Sequence, residues 1–210
     1  MNSPGNGSAI IRFTKASACG NDFLIADGAD AGNDFAGLTR RMCDRHNGVG
    51  ADGVEWLFPD NEADVAARLF NADGSEAEIS GNGTRCVAAD LCSRKEKKEI
   101  VIRTGAGLKT CRLTRRCGMT FEFEADMGEP VVGEEVAVDN GLAQVLGTKV
   151  SMGNPHFVVL VNDFPRLWQH ESSVIQAQSH FPQGTNVEYV RIRGPQEIEI
   201  RLFERGVGET

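Results

Sequence analysis

The stretch Val54-Glu55-Trp56 is repeated as Val187-Glu188-Tyr189, 133 positions further along the chain (187 − 54). Two more pairs of stretches share this offset: Gly20-Asn21 with Gly153-Asn154, and Arg68-Leu69-Phe70 with Arg201-Leu202-Phe203. Three ungapped matches at one offset are hard to obtain by chance. They predict two copies of one α/β unit, related by a pseudo-two-fold axis.

Strand and helix patterns alternate within each copy, and turn signals such as Asp73-Gly74 indicate antiparallel hairpins. The pattern predicts an α+β fold with two pseudo-symmetric lobes. Helices are expected at 35–43, at 165–178 and after Ser80. The expected organisation is a disordered lead-in at 1–9, an N-terminal lobe at 10–130, a connection at 131–148 and an incomplete C-terminal lobe at 149–210.

The composition is that of an ordinary globular protein, with 40% hydrophobic and 25% charged residues. The 22 basic and 30 acidic side chains give a net charge of −8, which argues against a nucleic-acid-binding surface. No apolar run is long enough to span a bilayer, so no membrane association is expected. The first nine residues lack the basic and apolar regions of a signal peptide, and a cytoplasmic protein is therefore predicted.

The six cysteines contain no Cys-x-x-Cys pair, and free thiols are expected. Cys86 is interpreted as a core residue of the helix that follows Ser80. The four histidines show no metal-ligand spacing, so no metal site is predicted.

The segment Ser80-Gly81-Asn82-Gly83 joins a turn to the start of a helix. The free N–H groups and the dipole of a helix N-terminus favour an anion, and glycine allows a ligand to approach the backbone. The plainer interpretation is that Ser80 only caps a structural helix. The repeat favours the anion-binding interpretation, because a second helix end would face the same point. Its first position would be 213, beyond the 210 residues of this sequence.

Two helix ends aimed at one carboxylate, each with a proton-bearing side chain, are suited to inverting an amino acid at its α-carbon. One group removes the α-proton from one face, and the other returns a proton to the opposite face. The carbanion-like transition state needs stabilisation at the carboxylate, where charge develops. Paired helix ends supply that stabilisation without a metal or pyridoxal phosphate.

Motifs distributed over residues 11–210 closely resemble the diaminopimelate epimerase family. They are Phe13-Thr14-Lys15, Gly20-Asn21-Asp22-Phe23, Arg45-His46, Gly48 to Gly53, Phe70 to Ser75, Gly81 to Cys86, Gly153-Asn154-Pro155-His156, Asn186-Val187-Glu188 and Glu204 to Thr210. The resemblance implies two lobes that close on the substrate and a reaction without a cofactor. The reaction would interconvert LL- and meso-diaminopimelate for lysine and peptidoglycan synthesis. A homodimer is also plausible from the family.

The resemblance also implies roles for individual residues. Ser80, His156 and Glu204 occupy catalytic or assisting positions near the reacting carbon. Glu204 and Arg205 match contacts to the distal amino-acid end of the substrate, and a guanidinium suits a carboxylate. The remaining matches are substrate-binding positions: Asn21, Asn71, Asn154 and Asn186, with Gly81 and Asn82 as a backbone cradle.

Two features depart from the family pattern. Ser80 stands where the family usually has a cysteine, and a hydroxyl is a far weaker acid than a thiol and needs a neighbouring base. The family also continues past Gly208-Glu209-Thr210 with its second catalytic cysteine. A chain ending at Thr210 is expected to be inactive and poorly stable, and a longer polypeptide is the alternative expectation.

Two other functions stay open at this point. One is a racemase or dehydratase acting on another amino acid, such as a proline derivative, although Glu204-Arg205 argues against a substrate without a distal carboxylate. The other is a non-catalytic amino-acid-binding protein that has lost its bases, which Ser80 keeps possible. Loss of the α-proton signal in D₂O would distinguish an enzyme from a binder.

Overall fold

The computed structural model describes residues 10–210, in which two β-sheets are formed by successive parts of the chain. The first sheet has the order β1-β2-β3-β4-β6-β7-β8, with β5 paired to β4. Its strands are β1 (Phe13–Ala18), β2 (Asn21–Asp27), β3 (Gly53–Phe58), β4 (Val65–Asn71), β5 (Glu76–Ala77), β6 (Glu99–Thr104), β7 (Gly107–Cys117) and β8 (Thr120–Asp126). With the helices α1 (Phe35–Cys43) and α2 (Gly81–Arg94), and a 3-10 turn at Gly28–Ala31, this sheet forms the first lobe.

The alternation of side chains along β3 gives the first lobe two apolar layers. Val54 and Trp56 point to the α1 side, where Trp56 donates a hydrogen bond from Nε1 to Thr39 Oγ1 at 3.1 Å. The opposite face packs on α2, which contacts β1 and β2 as well as β6 to β8. The sheet therefore curls around α2 and holds the N-terminus of that helix in a fixed place.

The second lobe consists of a six-stranded sheet and α3 (Trp168–Gln176). Its strands, in sheet order, are β14 (Gly208–Glu209), β13 (Glu197–Glu204), β12 (Asn186–Gly194), β11 (Pro155–Leu160), β10 (Gln144–Ser151) and β9 (Val131–Asp139). Val187, Tyr189, Phe157 and Ile175 form the buried layer between this sheet and α3.

The segment 131–148 differs from the expected connection. Most of it is strand, because β9 pairs antiparallel with β10 and extends the second sheet. The exposed, alternating residues of β9 gave little sign of this, since an edge strand buries few side chains. The expected disordered lead-in at 1–9 lies outside the described residues. The division into lobes near residue 130 stays a prediction.

The register of the two sheets follows the sequence repeat. Ile25 pairs with Glu55 and Glu55 with Leu69 in the first sheet, and Val158 pairs with Glu188 and Glu188 with Leu202 in the second. Helices α1 and α3 begin and end at positions that also differ by 133. The predicted α+β fold of two pseudo-symmetric lobes is confirmed, with β1 to β5 corresponding to β10 to β14.

The predicted helices and cysteines can be compared with the structure directly. The 35–43 prediction agrees with α1, and the 165–178 prediction extends beyond α3 at both ends. All six cysteines are free, and Cys86 is buried on the α2 side of β3, as expected. Within residues 10–210, no helix is long and apolar enough to cross a membrane.

Candidate active site

A cleft of about 320 Å³ lies between the two lobes and gathers nine of the ten predicted site residues. The first lobe contributes Asn71, Ser80, Gly81 and Asn82, and the second contributes Asn154, His156, Asn186, Glu204 and Arg205. The volume is that of a small-molecule site. Apolar side chains from both lobes complete the lining, among them Met127 and Met152.

The N-terminus of α2 opens into this cleft. Ser80 is the N-cap in extended backbone geometry, and its Oγ accepts a hydrogen bond from the Gly83 N–H at 3.1 Å. The capping interpretation is thus correct, and it coexists with a place in the cleft wall. Within residues 10–210, the Ser80 hydroxyl donates no hydrogen bond, so its proton is available to a further partner.

Gly83 lies against a side chain of its own lobe. A β-carbon at this position would lie 2.2 Å from Glu55 Oε1, which is far inside van der Waals contact. A β-carbon at Gly81 would find its nearest neighbours at 3.7 Å, so that position has space. The carboxyl group of Glu55 occupies the space beside Gly83, whereas the space beside Gly81 is open to a ligand.

Asn21 is the one predicted residue that does not line the cleft. It is buried behind the cleft wall, where its Oδ1 accepts a hydrogen bond from Asn82 Nδ2 at 2.6 Å. Its own Nδ2 donates to Asp52 Oδ2 at 3.2 Å. Asn21 therefore orients Asn82, which does face the cleft.

Ion pairs hold the loop that leads into β2, which begins at Asn21. Arg45 Nη2 contacts both Asp22 Oδ1 and Asp52 Oδ1 at 2.8 Å, and Lys15 Nζ lies 3.0 Å from Asp22 Oδ2. The hydrogen bond from Arg45, assisted by Lys15, lowers the pKa of Asp22 to about 2 against the opposing effect of burial. Asp22 thus stays ionised at neutral pH, and the loop stays clamped.

In the second lobe, His156 is held from both sides. Its Nδ1 lies 2.6 Å from Glu188 Oε1, and its Nε2 lies 2.8 Å from Asn154 Oδ1. A carboxylate on Nδ1 fixes the ring orientation and stabilises a proton on that nitrogen. His156 is therefore a positioned imidazole in the cleft wall, with Asn154 against its other nitrogen.

Arg205 joins the two lobes across the cleft. Its Nη2 lies 2.5 Å from Glu78 Oε2, and its Nη1 donates to the Gln183 carbonyl oxygen at 3.0 Å. Asn186 Oδ1 accepts a hydrogen bond from the Arg205 N–H at 2.9 Å and sets the turn. The guanidinium is thus paired with a carboxylate of the first lobe.

Glu204 lies beside Arg205 and accepts a hydrogen bond from Thr210 Oγ1 at 3.1 Å. Burial raises its pKa above the ordinary value. A partly desolvated carboxyl at a cleft wall is suited to proton transfer.

Sequence reasoning missed three carboxyl groups as site residues: Glu55, Glu78 and Glu188. Two of them carried a signal, because Glu55 and Glu188 interrupt buried strands at the same place in the repeat. Glu78 had none, since its ion pair with Arg205 spans 127 positions of sequence.

Comparison with known proteins shows which family this chain resembles. The family model described as diaminopimelate epimerase matches residues 13–132 and 148–210. A diaminopimelate epimerase of Pelotomaculum thermopropionicum is 42% identical, with 95% of this chain and 78% of the relative covered. One of Caldanaerobacter subterraneus is 34% identical over the same shares.

Solved structures show the same fold at low sequence identity. A probable proline racemase from Agrobacterium radiobacter superposes with a TM-score of 0.72 and 17% identity, covering 95% of this chain and 72% of that one. A hydroxyproline epimerase from Agrobacterium vitis gives 0.71 and 15%, covering 96% and 71%. At these identities the likeness supports the two-lobed architecture alone.

Proposed function

The chain belongs to the diaminopimelate epimerase family, and from this premise we propose that it interconverts LL- and meso-diaminopimelate by α-proton transfer. The observation that carries the proposal is the convergence of Ser80, His156 and Arg205 on one cleft between the lobes. A proton-transfer group, an oriented imidazole and a guanidinium are the parts that the reaction of an amino dicarboxylate needs.

The reacting end of the substrate is assigned to the N-terminus of α2. The substrate's α-carboxylate would accept hydrogen bonds from the first N–H groups of the helix, near Gly81 and Asn82. Negative charge grows on that carboxylate when the α-carbon loses its proton, and the helix dipole stabilises it. Ser80, at the same helix end, would then take or return the proton.

The distal end of the substrate is assigned to Arg205 and Glu204. The distal carboxylate would replace Glu78 on the Arg205 guanidinium, and the distal ammonium would face Glu204. Asn71, Asn154 and Asn186 supply amide groups between the two ends. A substrate without a second carboxylate would leave the guanidinium of Arg205 on Glu78, which disfavours the proline-type alternative.

Further parts of the proposal concern the surroundings of the enzyme. The substrate is a small amino acid, and a net charge of −8 does not suit nucleic acid. By analogy with the family, we place the reaction in the cytoplasm, without a cofactor, in a protein that can form homodimers.

Proton NMR in D₂O tests the proposal. LL- or meso-diaminopimelate incubated with the full-length gene product should lose its α-proton signal as deuterium replaces hydrogen. Ser80→Ala should slow this exchange by about 10²–10⁴-fold, the usual contribution of a general base. Ser93→Ala, near the other end of α2, is the matched control and should exchange at the rate of the unmodified protein.

The other outcomes separate the alternatives. Line broadening without exchange would identify an amino-acid-binding protein that does no chemistry. Neither broadening nor exchange with either isomer would rule out diaminopimelate as the substrate. Equal rates for Ser80→Ala and the unmodified protein would remove Ser80 from the proton path.

A further inference from the structure

Glu55 is a buried acid without a partner, on the face of β3 that packs against α2. Its side chain is surrounded by Ile25, Leu69 and Cys86, and the residue is only 3% exposed. Within residues 10–210, it accepts no side-chain hydrogen bond. A carboxyl group that lies in apolar surroundings without a hydrogen-bond partner needs an explanation.

The carboxyl group of Glu55 lies next to Ser80. A β-carbon placed on Gly83 would be 2.2 Å from Glu55 Oε1 and 3.3 Å from Ser80 Cβ, so both side chains flank the same point. Among the described residues 10–210, the Ser80 hydroxyl proton has no acceptor and the Glu55 carboxyl group has no donor. The two groups are complementary and within reach of each other, directly or through one water molecule.

In the second lobe, the glutamate at the equivalent position has a hydrogen-bond partner. Glu188 occupies the position of Glu55 in the repeat, and it contacts His156, a side chain of the cleft wall, at 2.6 Å. The position that corresponds to His156 in the first lobe is Phe23, which cannot accept or donate a proton. In both lobes, therefore, a glutamate on the central strand lies behind a cleft residue, and in the first lobe that residue is Ser80.

We propose that Glu55 is the internal proton acceptor that enables Ser80 to act as a base. The inference rests on the proposed function. In the step, the substrate's Cα–H bond breaks and its electron pair stays on the carbanion. The proton forms a new O–H bond on Ser80 Oγ while the original Ser80 proton moves to the Glu55 carboxylate. Reversal of both transfers returns a proton to the same face of the α-carbon, which is the exchange measured in D₂O. Inversion requires a second group that protonates the opposite face, after which Ser80 and Glu55 release the abstracted proton to solvent.

Glu55 is a positioning residue in this scheme, because it acts through Ser80 and does not touch the substrate. Burial alone raises the pKa of Glu55 to about 8, which makes its carboxylate a stronger base than a glutamate in water. The titratable neighbour on α2 is Cys86, whose own pKa is raised to about 12 by burial and which is neutral. The paired positions on β2 and β4 are the uncharged Ile25 and Leu69.

The first test measures α-proton exchange against pH in four proteins: unmodified, Glu55→Gln, Ser80→Cys, and the double variant. Glu55→Gln should reduce exchange about 100-fold or more in the Ser80 protein and remove the rise in rate around pH 8. In the Ser80→Cys background the same change should cost only a few-fold, because a thiol near a helix end ionises without a separate base. Equal losses in both backgrounds would mean a merely structural role and overturn the inference.

The second test does not depend on activity. Carbon-13 NMR of the Glu55 carboxyl should show a titration midpoint near pH 8, and Ser80→Ala should raise it, because the hydroxyl no longer stabilises the anion. An unchanged midpoint would overturn the inference even in an inactive protein. Conversely, if diaminopimelate exchanges normally and Glu55→Gln has no effect, the inference fails while the proposed function stands. If the midpoint moves but neither isomer exchanges, the proposed function fails and the contact between Glu55 and Ser80 stands.

Discussion

The two lobes place a glutamate at the same point of the same strand, but only the second lobe gives it a hydrogen-bond partner within residues 10–210. Glu188 is held by His156, whereas Glu55 has Phe23 at the corresponding place. Strand order, register and the bounds of α1 and α3 are otherwise repeated. The repeat therefore preserves the pairing of the strands, whereas single residues on those strands determine the chemistry of each lobe.

The largest expected effect concerns the stability of the first lobe. The folded pKa of Glu55, about 8, lies above the ordinary value of 4.5, so between these pH values the native state binds one more proton than the unfolded state. This contribution to stability is complete below about pH 4.5 and decreases by about 1.4 kcal/mol per pH unit as the pH rises toward 8. Urea unfolding at pH 5, 6, 7 and 8 should show this slope relative to Glu55→Gln. Glu197→Gln, which changes the same charge on an exposed residue, is the reference. A difference between the unmodified protein and Glu55→Gln that does not vary with pH would contradict the prediction.

A histidine at position 23, equivalent to His156 of the second lobe, should remove much of the pH dependence of stability that Glu55 causes. In Phe23→His an imidazole would occupy the position that His156 has beside Glu188. We expect the pKa of Glu55 to fall by about 1–3 units, as it does for a carboxyl beside a positive charge. Carbon-13 NMR titration measures the change, and Phe23→Leu is the apolar control. A midpoint that is the same in both variants would show that the two lobes differ by more than this one residue.

A smaller effect is expected where the lobes meet. Glu78→Gln removes the carboxylate that occupies Arg205, which leaves the guanidinium free for the distal carboxylate of the substrate. Affinity for diaminopimelate, measured by calorimetry, should rise by about 5-fold, which corresponds to the roughly 1 kcal/mol of a partly exposed ion pair. Glu76→Gln breaks the more exposed pair with Arg68, outside the cleft, and should leave affinity unchanged. Weaker binding by Glu78→Gln would mean that the ion pair organises the site.

The smallest expected effect compares two helix ends. Asp34 caps α1 by accepting a hydrogen bond from the Gly37 N–H, whereas Leu167, its counterpart in the repeat, caps α3 without a side-chain bond. Leu167→Asp should therefore stabilise the protein by about 0.5–1 kcal/mol, and Asp34→Leu should destabilise it by about 1 kcal/mol. Thermal unfolding of both variants measures the difference. Destabilisation by Leu167→Asp would show that the backbone of this turn cannot form the cap.

Much of the architecture could be predicted from sequence because the repeat constrains it. One offset fixed the correspondence of Val54 with Val187 and of Arg68 with Arg201, and the structure has these residues at equivalent positions of paired strands. The start of α2 was predictable from Ser80 and its glycines. The edge strand β9 was not, because it buries few side chains.

The candidate site was predictable only in its polar, motif-bearing part. Motifs identified the residues of the cleft wall, but the carboxyl groups behind that wall are placed by tertiary contacts. Glu78 reaches Arg205 only when the lobes come together. Asn21 was expected to bind substrate, yet in the structure it lies behind Asn82. A sequence motif identifies a residue but does not show whether its side chain faces the cleft or lies behind the cleft wall.

The close approach of Glu55 to Gly83 has a consequence for how the sequence can change over time. A β-carbon at position 83 would lie 2.2 Å from Glu55 Oε1. Any side chain at position 83 would therefore require the Glu55 carboxyl group to move, or a shorter side chain at position 55. Substitutions at these two positions are therefore expected to depend on each other, although they lie 28 places apart in the sequence. A larger residue at 83 is expected to be better tolerated beside a smaller residue at 55, and a designer who alters one position should examine both.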